Sequence, residues 1–360
     1  MPRVLFIAAH RPDRSPSQRY RIEQYLGFLE KNGFTYEYSW LLSEKDDKLF
    51  YTPGNWFAKF LLLLRCARKR RKDVKRAGQF DIIFVQREAF MAGSTWFEKK
   101  FSRSGAKLVF DFDDAIWKLD ISDANKKLGW LKNPGKTADI IALSHLVIAG
   151  NRFLADYARE RNKNVVIIPT VIDTEKYRRE QVQKQSDRIV IGWTGSLTTI
   201  KHFEYAIPIL RELKKKYGDR IAVKVIGDGS YINEELGIRG IAWNAKDEVA
   251  QLSDISIGIM PLPDDEWTKG KCGLKGLQYM ALGIPTLMSP VGINTEIIRD
   301  GENGFLPASL DEWVEKISML IDSEELRTKT GEAGRKTIEE KYSVKAWENE
   351  LLAQLTKVIR

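Results

Sequence analysis

Short runs of apolar, mostly β-branched residues alternate with longer helical stretches along the whole chain, and this alternation restricts the fold more than any other feature. Val4–Ala9, Asp81–Val85, Lys107–Asp111, His145–Ala149 and Val165–Ile168 read as one series of strands. Ile189–Trp193, Ile221–Ile226, Ile255–Ile259 and Pro285–Met288 read as a second. Strands that are apolar throughout are covered on both faces, which is the situation of a parallel sheet flanked by helices. Segments such as Phe203–Tyr217 and Leu310–Ile321 fit those helices. The expected class is α/β, with two doubly wound domains that bind ligands beyond the carboxyl ends of their strands. A length of 360 residues agrees, because single cores usually stop growing below this size. The hinge is expected at the proline turn Pro169–Asp173, followed by a polar surface loop over Arg178–Asp187. This divides the chain into an N-terminal domain over 1–169, a C-terminal domain over 170–345, and a last helix over 346–360 that returns toward the first domain.

Composition narrows the partners. A net charge of +9 calls for something anionic: nucleic acid, lipid headgroups or a phosphorylated small molecule. No zinc finger, RNP-like aromatic motif or helix-turn-helix is present, so nucleic acid is not expected. The only cysteines, Cys66 and Cys272, do not form a disulfide framework, and the N-terminus enters a strand without signal-peptide features. A cytoplasmic location is expected. The scarce histidines and distant cysteines make a metal site unexpected.

Two stretches of the second half look chemical. Gly192–Lys201 follows a strand, is rich in hydroxyls and small residues, and ends in a lysine, so its backbone amides suit a phosphate. Gly270–Gly292 opens on lysines among glycines before a helix. Gly273 and Leu274 fall at that helix's N-terminus, where amides and the dipole favour an anion. Lys275 and Gln278 share a face, and Leu274, Leu277 and Ala281 supply the packing face. A packed helix with incidental solvated lysines explains this stretch by itself equally well. Gly227–Gly229 reads as a turn.

Together, Ile168–Asp173, Gly192–Lys201, Val225–Gly229, Gly273–Pro285, Ser289–Gly292 and Asp300–Phe305 resemble the retaining nucleotide-sugar glycosyltransferases of family four. That resemblance implies the GT-B fold, two Rossmann-like domains facing an interdomain cleft, with acceptor bound by the first and nucleotide-sugar donor by the second. It implies that Lys201 and Lys275 stabilise the donor diphosphate as the catalytic groups, alongside the amides near Gly195, Ser196, Gly273 and Leu274. Many members carry two glutamates around this helix start, one on the donor sugar and one on the ribose. Here these positions are Gly270 and Gln278. An amide still meets a ribose hydroxyl, without charge assistance. Asp264, Asp265 and Glu266 are the substitutes at hand for the sugar contact, each also readable as a solvated loop charge.

The first half contributes acceptor-side candidates. The loop after the first strand carries Arg11, Arg14, Arg19 and Arg21, which suit an acceptor phosphate or carboxylate, or simply a soluble surface. Gln86–Glu88 ends a further strand. Asp111, Asp113 and Asp114 end another; alternation points the last two in opposite directions, one orienting an acceptor hydroxyl or a cleft arginine. Helix capping is the other reading of Asp114.

Trp56–Arg76 combines a leucine-rich aromatic stretch with a basic end, Arg68 to Lys72. It is too short to span a bilayer but suits an anionic membrane surface. The helical spacing of Phe57, Phe60, Leu61 and Leu64 fits a core helix equally.

The expected function is metal-independent, retaining transfer of a sugar from a nucleotide diphosphate donor to a hydroxyl of a surface glycan or lipid-linked acceptor. The expected place is peripheral on the inner face of the membrane. The nucleotide sugar is a co-substrate and no cofactor is expected. A GT-B nucleotide-sugar epimerase and a non-catalytic glycan-binding or scaffold subunit with a degenerate donor site are the rival readings.

Overall fold

The computed structural model describes residues 1–118, 133, 135–178, 188–196 and 198–360. They form two compact units, Met1–Thr170 with Trp347–Arg360, and Val171–Ala346. The polar run expected as a loop after the hinge lies, beyond Arg178 and before Arg188, outside the described residues.

In unit 1, β1 (Arg3–Ile7), β2 (Thr35–Ser39), β3 (Ile82–Gln86), β4 (Lys107–Phe112), β5 (Leu146–Ala149) and β6 (Val165–Ile167) pair in the order β2-β1-β3-β4-β5-β6. All neighbours run parallel. The central strands are buried residue by residue, as their unbroken apolar sequence requires. The edge strand β2, a Tyr-rich run half-exposed along its length, has no such signature.

In unit 2, β7 (Ile189–Thr194), β8 (Ile221–Gly227), β11 (Ile241–Ala242), β12 (Ile257–Met260) and β13 (Thr286–Met288) form a parallel sheet in the order β11-β8-β7-β12-β13. The short strands β9 (Ile232–Asn233) and β10 (Ile238–Arg239) make a separate antiparallel ribbon. Trp193, Phe203, Leu210, Leu213, Ile257 and Ile317 are among the core residues between this sheet and its helices. The final helix, Val344–Ile359, starts in unit 2 and belongs to unit 1 from Trp347 onward.

Both units are thus doubly wound and Rossmann-like. In each, strand order reverses at one point, beside β1 and β3 in unit 1 and beside β7 and β12 in unit 2. The loops leaving the carboxyl ends of those strands border a natural crevice, which is where such folds bind ligands.

Candidate functional site

In unit 2 the loop after β7 turns into a short helix, Ile200–Phe203. Lys201 is exposed on it, whereas His202 is only 4% exposed. Gly195 is forced by packing: a Cβ there would lie 2.1 Å from the Trp193 ring. Its amide donates to Ile226 O at 2.9 Å, and the Ser196 amide donates to Thr199 Oγ1 at 2.8 Å. This corrects the expectation that the Gly195 and Ser196 amides cradle a phosphate. Both are committed inside the domain, and the loop instead presents Lys201.

The glycines before the second helix, Leu274–Ala281, have a similar explanation. Gly273 occupies the N-cap at φ 69°, a left-handed conformation natural to glycine, and a Cβ would approach Ile297 Cδ1 to 2.5 Å. A Cβ on Gly276 would sit 2.4 Å from Met288 Sδ. These glycines let the helix pack tightly on its own domain. What they leave is a helix start that no side chain caps by a hydrogen bond, with Leu274 in its first turn.

Around this start the positive charges converge. Lys275 Nζ lies over the Trp193 ring at 5.2 Å, and Trp193 packs on Phe203 at 5.7 Å between ring centroids. His202, next to Phe203, experiences Lys275, Lys271 and Lys201 together. Burial first, and then those three charges, lower its pKa to about 4, with Asp265 opposing them. Lys201, Lys271 and Lys275, from separate segments, thus all act electrostatically on the one buried imidazole of His202.

Gln278 is 4% exposed, and its Nε2 donates to Tyr177 Oη at 3.0 Å and Glu248 Oε1 at 3.2 Å. Glu248 also accepts from Tyr177 Oη at 2.7 Å and Trp243 Nε1 at 2.9 Å. An amide at position 278 is thus matched to a buried carboxylate already beside it. Of the acidic residues considered for the sugar contact, Asp265 caps the Glu266–Lys269 helix through Thr268, and Asp264 pairs with Lys269 at 3.2 Å. Glu266 is exposed in the first turn of that helix.

Unit 1 corrects the reading of the arginine-rich loop. Part of it is a helix, Pro16–Arg21. Asp47 gathers His10 Nδ1 at 3.2 Å, Arg11 Nη1 at 2.6 Å and Arg14 Nε at 2.5 Å. Burial works to raise the Asp47 pKa, but these donors hold it well below the carboxylate range. Arg19 is buried against the Tyr20 ring, and Arg21 forms a buried pair with Asp111 at 2.5 Å. Arg11, Arg14 and Arg21 are thus held by carboxylates of their own unit, with Asp47 offsetting one of the two charges of Arg11 and Arg14.

Asp113 and Asp114 do not point in opposite directions as strand alternation suggested, since both meet the guanidinium of Arg87, Asp113 at 2.9 Å. β4 ends at Phe112 and the chain bends at Asp114, so strand alternation no longer applies. Ser17 Oγ donates to Asp113 at 2.5 Å. Arg87 sits at φ 63°, a conformation costing a non-glycine residue about 1 kcal/mol or more. Sequence reasoning missed His202, Trp193, Lys271 and the Tyr177–Trp243–Glu248 cluster. The one available signal was a rare histidine adjoining Lys201.

Comparison with known proteins agrees with this layout. Residues 174–337 match the sequence profile of the glycosyl transferases group 1 family. That segment lies within unit 2, which is thus similar to group 1 glycosyltransferase domains, and the chain as a whole has the GT-B fold. The capsular polysaccharide biosynthesis glycosyltransferase CapM of Staphylococcus aureus is 24% identical over 185 residues, 48% of this chain and 47% of CapM. The match spans about half the length of that curated relative. Among solved structures, HepE of Anabaena in complex with UDP and glucose aligns over 99% of this chain and 100% of its own, with a TM-score of 0.68 at 14% identity. Sucrose-phosphate synthase of Thermosynechococcus elongatus aligns over 99% of each chain, with a TM-score of 0.68 at 12% identity.

Proposed function

We propose that this protein is a retaining glycosyltransferase that moves a sugar from a nucleotide diphosphate donor to a hydroxyl of a surface glycan or lipid-linked acceptor, without a metal or cofactor. The observation that carries the reading is that Lys201, Lys271 and Lys275 all act on His202 near a helix start with no side-chain cap, within the segment that matches the group 1 glycosyltransferase profile. A diphosphate leaving group gathers negative charge as its bond to the sugar breaks, and fixed cations and amides stabilise that charge more than they stabilise bound substrate. UDP in the HepE complex and the capsular role of CapM support the donor class and the kind of product.

A screen of UDP-, GDP- and ADP-sugars for acceptor-dependent release of nucleotide diphosphate tests the activity. Net release without acceptor would point instead to a hydrolase, and conversion of the donor to its epimer with no net release to an epimerase. With the donor in hand, NMR of the product formed in the presence of EDTA is expected to show the donor's anomeric configuration retained. An inverted product, or complete loss of activity with chelator, overturns the retaining, metal-independent reading.

The membrane part of the reading rests on the helix Trp56–Arg76. Among the described residues no helix is long and apolar enough to cross a membrane. This helix instead turns Phe57, Phe60, Leu61 and Leu64 outward, with Phe57 76% exposed. Arg68, Arg71, Lys72 and Lys75 are exposed on its basic half. Such a face suits the surface of anionic lipid, where each basic residue contributes about 1 kcal/mol. Arg70 is different: it is fully buried and donates to Ala8 O, Ala89 O and Asp73. Replacing Phe57, Phe60 and Leu61 with serine, or Arg68, Arg71 and Lys72 with glutamine, is expected to abolish sedimentation with anionic liposomes at low salt. Arg70 must be kept, because its loss would damage the fold. Wild-type protein that stays in the supernatant would remove the membrane assignment.

A further inference from the structure

His202 has no place in the function as described so far, yet it is the least conventional group in the cationic site. It is an ionisable side chain that is 4% exposed, and its Nδ1 is buried with no hydrogen-bond partner among the described residues. A buried imidazole nitrogen left unpaired is costly, so such groups call for a missing partner. Three elements surround it. Its own helix contributes Lys201, the segment before the Leu274–Ala281 helix contributes Lys271, and the first turn of that helix contributes Lys275. Asp265, the N-cap of the Glu266–Lys269 helix, is the one acidic group acting on the ring. The Trp193 ring packs on Phe203, the neighbour of His202, and also carries Lys275.

We infer that His202 is a proton-coupled ligand of the donor diphosphate, taking up a proton as the anion enters the lysine cluster and donating a hydrogen bond to it. This rests on the proposed function and adds a residue to the same site. With the site empty, burial and three ammonium groups keep the ring neutral. An entering diphosphate brings negative charge that offsets the lysines and favours the imidazolium. The proton comes from solvent, and the imidazolium then carries N–H donors on both ring nitrogens. Binding and protonation become linked. A group whose pKa rises on binding strengthens the complex below its free-state pKa, and that advantage fades as pH rises through the bound-state value.

The probe is a panel of UDP-, GDP- and ADP-sugars, whose diphosphodiesters do not themselves titrate between weakly acidic and weakly basic pH. Calorimetric titration in two buffers of different ionisation enthalpy counts the protons exchanged. Uptake approaching roughly one proton per ligand is expected near pH 6, with affinity weakening by up to about tenfold per pH unit above the bound-state pKa. His202→Gln, which keeps a hydrogen-bond donor but cannot titrate, is expected to bind without uptake and with a flat pH profile. The histidine ring signals of wild-type protein, with and without ligand, give the same answer should that variant fold poorly. Binding without uptake, or equal uptake by wild type and His202→Gln, overturns the role of His202 and leaves the donor site standing. Failure of the whole panel to bind overturns the donor reading and this inference with it.

Discussion

Lys275→Ala is expected to lower turnover about a hundredfold, with little change in donor affinity. A cation aimed at charge that develops in the transition state is worth roughly 3 kcal/mol, and such a loss appears in kcat rather than in KM. The fold should survive. Lys275 is half-buried at the start of its helix, and one of its contacts is the Trp193 face, a cation–π interaction worth about 0.5–1 kcal/mol. Steady-state release of nucleotide diphosphate, with thermal melts as the control, makes the measurement. Wild-type kinetics from this variant would take Lys275 out of the site and reduce its helix to a packing element.

The second large effect is expected from Gln278→Glu. Restoring the glutamate found in many relatives would suggest tighter donor binding, but the surroundings predict the opposite. Gln278 Nε2 donates to Glu248 Oε1 at 3.2 Å in a buried position. A carboxyl introduced there loses that bond and places a second acid against Glu248. Burial and the neighbouring charge both raise the pKa of the introduced group above its unfolded value. Its neutral form is tolerated at low pH, and stability is lost as pH rises through the raised value. A loss of about 3 kcal/mol or more is expected near neutral pH, the usual cost of an uncompensated buried charge. Melts from pH 5 to pH 8 test this: the gap from wild type should widen with pH. Equal stability across that range, with tighter donor binding, would show that the Glu248 cluster rearranges freely.

These two residues illustrate what is readable before folding. Lys275 and Lys201 stand in segments whose order and spacing identify them without any tertiary information. The same holds for the apolar strands, which the sequence marks to within a residue or two because burial on both faces leaves an unbroken apolar run. Leu146–Ala149 and Ile257–Met260 are examples. The edge strand Thr35–Ser39 escaped notice because a strand open on one side keeps polar residues. The short strands β9, β10 and β11 are too brief to carry any pattern.

Local sequence determined the buried apolar strands, the two-sheet architecture and the positions of the two lysines. Tertiary structure decided which charges remain for a ligand. Arg11 and Arg14 look like an anion site in the sequence until Asp47, distant along the chain, accepts from both and offsets one of their two charges. Gln278 looks like a weakened glutamate until Glu248 supplies a reason for the amide. The spacing of Phe57, Phe60, Leu61 and Leu64 defines a face without saying whether core or solvent lies against it, and only the packed helix turns it outward. The physical reason is common to all three. Periodicity is a property of neighbouring residues, whereas charge cancellation and burial depend on groups that only folding brings within a few ångströms.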